Sequence, residues 1–213
     1  MDPATPAGNT KATREDWLTV AMDLLVSEGV QAVKVLTISD RLGVSRSSFY
    51  WYFRSRQDLL DALLAAWAET NTAQLVRHAQ MPAATVTEAV CITARCWLDP
   101  ALFNHRLDFA IREWARRDGA VRRVIDQSDA TRVAAFAAMF ERYGYDPEEA
   151  EVRSRVMYFM QVGYYALELS EPLAERMKRV RNYVLSFTGV PPRDSEVAAL
   201  VDYAMRANAP PRT

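Results

Sequence analysis

The residues of this chain best suited to chemistry lie between Lys34 and Arg56, and that chemistry is recognition of a polyanion. Five basic side chains (Lys34, Arg41, Arg46, Arg54 and Arg56) stand against one acid, Asp40. The segment therefore carries +4 and leaves −5 to the rest of a chain whose net charge is −1. Such asymmetry fits one short segment that meets phosphate while the bulk does something else. Ser45, Ser47 and Ser48 add small hydroxyls that permit close approach, and Tyr50, Trp51 and Tyr52 add rings. Aromatic rings pack on sugars or on thymine methyl groups. Arg46, beside the free amides of a helix start, suits a phosphate or a guanine edge.

Other chemistries find no matching residues. Catalysis needs a nucleophile with a base, or a metal cluster, and the two histidines, His78 and His105, stand in different segments. Cys91 and Cys96 are five positions apart, about 140° round a helix, without a histidine pair to complete a zinc set. Neither phosphate-loop glycine pattern, G-x-x-x-x-G-K-[ST] or G-x-G-x-x-G, occurs. Glu148, Glu149 and Glu151 follow Pro147 and read as acids at the positive end of a helix. No metal and no resident cofactor is expected. The sequence points away from an enzyme, and a DNA-binding regulator competes with a helical adaptor that binds protein.

The elements that must position these residues are helices. Thr13 with Asp16 forms a capping box. Behind it Trp17, Val20, Ala21, Leu24 and Leu25 share one helical face, ended by Gly29. Thr37 is expected to cap a short helix over Ile38 to Leu42, Gly43 to turn, and Ser45 to cap a second helix through Phe53. Ile38 and Leu42 pair at i, i+4, as do Phe49 and Phe53, which makes a helix-turn-helix. At about 100° per residue, an inward Phe49 sends Ser47 and Trp51 outward and leaves Ser48 and Tyr50 on the flanks. Trp51 would then meet DNA or pack on the N-terminal arm.

Ser55 and Asp58 open a long helix reaching about His78, before Pro82. Further helices are expected from Thr85 to Leu98, within Ala101 to Arg117, from Val121 to Tyr143 and from Pro147. Another face follows on Leu173, Met177, Val180 and Val184, and a last helix begins near Ser195. No strand alternation appears, so the fold is all-α. The expected division is an arm (1–9), a helix-turn-helix domain (10–56), a connecting helix (57–80) and a larger helical domain (81–213).

Composition agrees. The chain has 213 residues, half of them apolar and a quarter charged, with two cysteines. That is the balance of a soluble globular protein without a disulfide framework. The N-terminus lacks the apolar stretch of a secretory signal, and Val156–Leu167 is too short for a bilayer of roughly 30 Å. A cytoplasmic location without membrane contact is the expectation.

The run Thr37-Ile38, Leu42-Gly43-Val44-Ser45, Ser48-Phe49-Tyr50-Trp51-Tyr52-Phe53, Arg56 and Leu59-Leu60 resembles the signature of the TetR family of transcriptional regulators, across about residues 13–64. The resemblance implies an N-terminal three-helix bundle with a helix-turn-helix, followed by a helical ligand-binding and dimerisation domain. It implies backbone contacts from Thr37, Ser45, Tyr50 and Tyr52 and a base-reading face of Ser47, Ser48 and Trp51. Arg56, where the family usually has lysine, would contact phosphate and act as a lever between domains.

The resemblance further implies a pocket for an apolar or aromatic effector, with candidate walls Trp97, Leu102, Phe103, Phe109, Trp114, Phe136, Phe140, Tyr158 and Gln161 and candidate anchors Asn104 and His105. Aromatics at helical spacing are also the ordinary content of a core, and His105 also reads as a surface or capping residue. Helix-turn-helix readers meet two-fold sites as dimers. The stretch 156–167, apolar all round, needs burial on more than one face. A four-helix interface of two copies, through Pro147–Leu169 and Pro172–Ser186, is therefore expected. Effector binding would tilt the helix from Arg56 to His78 and lower affinity for a two-fold operator, which makes the protein a ligand-released repressor.

Overall fold

The computed structural model describes residues 12–169 and 171–209. The expected arm, residues 1–9, lies outside them. Every regular element among the described residues is helical. The chain divides into two compact units after Ala66.

The first unit holds α1 (Arg14–Glu28), α2 (Val35–Leu42), a 3-10 helix (Arg46–Trp51) and the start of α3 (Arg56–Trp67). The Thr13–Asp16 capping box forms as expected. The unit's core is Trp17, Leu24, Leu25, Val33, Ile38, Phe49, Phe53, Leu59 and Leu63, all buried. Trp17 meets Phe49 edge-on with ring centres 5.2 Å apart, and Phe49 stacks on Phe53 at 5.3 Å.

Two caps differ from expectation. The helix α2 begins before Thr37, because the extended Lys34 occupies the capping position and its carbonyl accepts from the Ile38 amide at 3.0 Å. Thr37 sits in the first turn, half-buried. Ser45 bonds Ser47 through their hydroxyls at 2.8 Å instead of capping an amide. The second short helix is wound as a 3-10 helix and stops at Trp51. There the Ser48 hydroxyl donates to the Ser45 carbonyl at 2.7 Å, and the Ser48 amide reaches the same oxygen at 3.1 Å. Serine hydroxyls compete for backbone partners in this way, and the tighter turn follows.

The second unit runs through a π-helical turn (Ala68–Thr72), α4 (Ala73–Gln80), α5 (Val86–Leu98), α6 (His105–Ala115), α7 (Gly119–Glu141), α8 (Pro147–Ala166), α9 (Leu173–Met177), α10 (Val180–Thr188) and α11 (Asp194–Ala207). The single helix expected from Ser55 is thus interrupted by the π turn. The helix expected within 101–117 starts only at His105, capped by Asn104, and the face from Leu173 is split into α9 and α10. Asp118 caps α7 and Asp146 caps α8, with Pro147 at its first position. The core joins Leu75, Val90, Cys96, Trp97, Phe136, Met139, Phe140, Met157, Val184 and Leu200. Cys91 and Cys96 are both buried, and burial pushes each thiol up to about 12, so neither is a reactive thiolate at neutral pH.

Candidate nucleic-acid interface

The geometry of the cationic segment begins with Phe49. Its burial under Trp17 fixes the rotation of the 3-10 helix, and three residues per turn then place Ser47 and Tyr50 in one row. Tyr50 is 65% exposed and Trp51 67% exposed, beside the exposed Ser45, Arg46 and Ser47. Tyr52 is half-buried at the end of the helix. Lys34 is exposed at the start of α2, and Arg54 is exposed beyond the 3-10 helix. The face thus joins donors, hydroxyls and two open rings, which is what phosphate positioning and base-edge contact require.

Two expected contacts are corrected. Ser48 is buried, and its hydroxyl is held by the Ser45 carbonyl, so it leaves the base-reading face. Arg56 turns inward: Nε donates to the Val33 carbonyl and Nη2 to the Val30 carbonyl, both at 2.6 Å. That guanidinium clamps the turn ahead of α2 to the start of α3, and so positions the reading elements instead of reaching for phosphate. Arg41 also pairs outside the segment, with Glu28 at 2.5 Å. The available cations are therefore Lys34, Arg46 and Arg54. Sequence reasoning missed Leu36, 51% exposed on the first turn of α2; its place opposite Ile38 on the helix was the available signal.

The expected effector walls are found in the second unit, and most are core. Phe136, Phe140, Tyr158, Gln161, Phe103, Trp114 and Trp97 are buried, whereas Leu102 and Phe109 are half-buried. The expected anchors are used otherwise. Asn104 caps α6 through the Leu107 amide at 3.0 Å. His105 is exposed and stacks on Tyr165 at 4.9 Å, where partial burial, Arg106 and Arg176 hold its pKa below the usual value.

Among these rings lies a charged network that sequence reasoning missed. Arg132, fully buried, donates to Asp108 Oδ1, to the Tyr158 hydroxyl and to Thr72 Oγ1, each at 3.0 Å. Arg112 binds Asp108 at 3.0 Å and Asp129 through two bonds of 2.9 and 2.6 Å. Trp67 Nε1 donates to Asp108 at 2.9 Å, and the Tyr158 hydroxyl donates to Asp129 at 2.7 Å. Two arginines and two aspartates make the cluster neutral, as burial demands. Asp108 and Arg112 lie four apart on α6 and Asp129 and Arg132 three apart on α7, but the contacts that join the two helices leave no local signal in the sequence.

The outer face of α8 is apolar. Val152, Val156 and Phe159 are exposed along it, Leu167 is exposed just past its end, and Leu185 is exposed on α10. A groove of about 500 Å³ lies at its N-terminal end, lined by Asp146, Glu149, Val152, Arg153, Val156 and Phe187 among others. No helix among the described residues is long and apolar enough to cross a membrane, and none of their His, Cys, Asp or Glu side chains gather in a group that could hold a metal.

The first unit is thus a helix-turn-helix on a buried aromatic core, with an exposed cationic and aromatic face. The family described as "Bacterial regulatory proteins, tetR family" matches residues 18–63. The chain is 38% identical over 69 residues to the Escherichia coli tetracycline repressor protein class A from transposon 1721, which spans 32% of each chain. To the Escherichia coli tetracycline repressor protein class C it is 34% identical over 61 residues, 29% of this chain and 28% of the relative. The chain thus matches about a third of the length of these curated relatives. The crystal structure of Mycobacterium smegmatis AmtR shares the fold at a TM-score of 0.59 and 19% identity, over 97% of this chain and all of that one. Residues 18–63 of the N-terminal unit thus carry the likeness to the tetR family of bacterial regulatory proteins, and the remainder of the chain shares the fold of a solved structure.

Proposed function

We propose that the protein is a sequence-specific DNA-binding transcription regulator and not an enzyme, acting as a homodimer on a two-fold operator. The observation that carries this reading is the pair of open rings, Tyr50 and Trp51, displayed beside Arg46 and Ser47 on a helix locked by the buried Phe49. Repression is the sign of regulation supported by the kinship with tetracycline repressors. The apolar stripe on α8, with Leu185 of α10, supports self-association: exposed apolar patches of this kind mark interfaces. Two copies pairing α8 and α10 would bury it in a four-helix interface and present two reading helices to a two-fold site.

The helical unit is the seat proposed for effector control, with a small apolar or aromatic molecule as the ligand. The test of the regulator reading is a mobility shift with labelled duplexes from the region upstream of the protein's own gene. Specific binding that weakens by orders of magnitude between roughly 50 and 200 mM salt supports it. A folded dimer that ignores DNA at low salt overturns it in favour of a protein-binding adaptor. Melting-temperature shifts across a compound panel test the effector.

A further inference from the structure

The first unit buries its large apolar side chains almost completely, yet among the described residues it leaves three in the open: Leu36, Tyr50 and Trp51. All three belong to the two short helices of the cationic segment. The two rings can serve sugars or bases, whereas Leu36 carries neither a ring nor a polar group. Its side chain stands 51% exposed in the first turn of α2, about 160° round the helix from the buried Ile38. Its carbonyl is used within the helix, by the Ser39 hydroxyl at 2.8 Å, and its side chain is not among the buried residues of the unit's core.

We propose that Leu36 is a specificity-determining residue that reads the 5-methyl group of a thymine in the major groove. The inference rests on the DNA-binding reading and adds the base class. The occupant follows from charge: Lys34 is exposed two residues before Leu36, and the 3-10 helix that packs against α2 begins with the exposed Arg46, so the apolar spot belongs to a cationic surface suited to a phosphate-lined groove. In that groove the thymine methyl is the one apolar feature among the natural base edges. A leucine discriminates it by exclusion of water, without hydrogen bonds.

The experiment uses the full-length chain. The preferred site is first selected from a random duplex library, and each thymine of that site is then replaced singly by deoxyuridine, which removes the methyl and leaves the pairing edge intact. The wild type is expected to lose about fourfold in affinity at one position per half-site, the worth of roughly one buried methyl. Leu36→Ala is expected to bind the thymine site more weakly and to be indifferent to uracil at that same position. Leu36→Met should retain the discrimination. Non-specific affinity for random duplex, its salt slope and the melting temperature should be unchanged by either substitution.

A wild type indifferent to uracil everywhere, or a Leu36→Ala chain that keeps the full wild-type penalty, overturns the proposal while leaving the DNA-binding reading intact. The same holds if Leu36→Ala breaks self-association or capture of a protein while DNA selectivity stays put, since the patch would then serve a protein partner. A wild type that binds no duplex at any salt fails earlier, at the reading on which the proposal rests.

Discussion

Arg56 and Trp51 show how two residues of one segment divide into support and contact. Arg56 donates two bonds of 2.6 Å to the carbonyls of Val30 and Val33. Arg56→Ala leaves those carbonyls without their charged partner, and the expected cost is about 2 kcal/mol of stability, read by urea melts of the full chain. Arg56→Lys should recover only part of it, since one ammonium does not reproduce the planar fork that reaches both oxygens. Trp51 is the opposite case. Its ring is 67% exposed and supports no core, so Trp51→Ala should leave the melting temperature in place. DNA affinity should fall about tenfold, equivalent to about 1.4 kcal/mol, in a fluorescence-anisotropy titration. A stability loss without an affinity loss would assign the ring to the fold instead.

At the scale of elements, the turn between α2 and the 3-10 helix depends on Gly43, whose φ of 66° is left-handed. A Cβ there would meet nothing within 4 Å, so Gly43→Ala isolates the backbone cost. That cost is about 1–2 kcal/mol, measured by chemical denaturation, with Gly43→Asn milder because asparagine tolerates this region. This turn was legible in the sequence, as were the box at Thr13–Asp16 and the helix starts at Thr85 and Pro147, because each is settled within four residues. The 3-10 winding was not legible. It depends on the Ser48 hydroxyl choosing a carbonyl and on Phe49 being held by Trp17, 32 positions earlier. Ser47 and Trp51 are consequently exposed as expected, whereas Ser48 is buried. The π turn escaped for the same kind of reason: Asn71 bonds Asn104 through 3.0 and 3.2 Å contacts from a distant part of the chain.

For the molecule as a whole, two features decide whether one chain acts alone and whether its helical unit holds together. Phe159 lies on the exposed stripe of α8, and Phe159→Glu would place a carboxylate where two copies are proposed to meet. Light scattering after size exclusion should then give monomers, with loss of two-fold operator binding and no loss of helicity by circular dichroism. The buried network sets the second limit. Burial alone pushes the Asp108 carboxyl up, but Arg132 and Arg112 outweigh it and hold its pKa below the ordinary value. Because the folded value is depressed, the carboxylate's contribution is present in full above the unfolded pKa, about 3.9, and is lost as pH falls through the folded value. Asp108→Asn keeps the shape but leaves Arg132 buried without its 3.0 Å counter-charge, a loss of about 3–5 kcal/mol. The stability gap between wild type and Asp108→Asn should thus stay constant from pH 7 to about pH 5 and narrow below about pH 4. Denaturant melts at several pH values read that gap directly. A gap independent of pH down to pH 2 would mean that the network is held by packing and hydrogen bonds and not by the charge of Asp108.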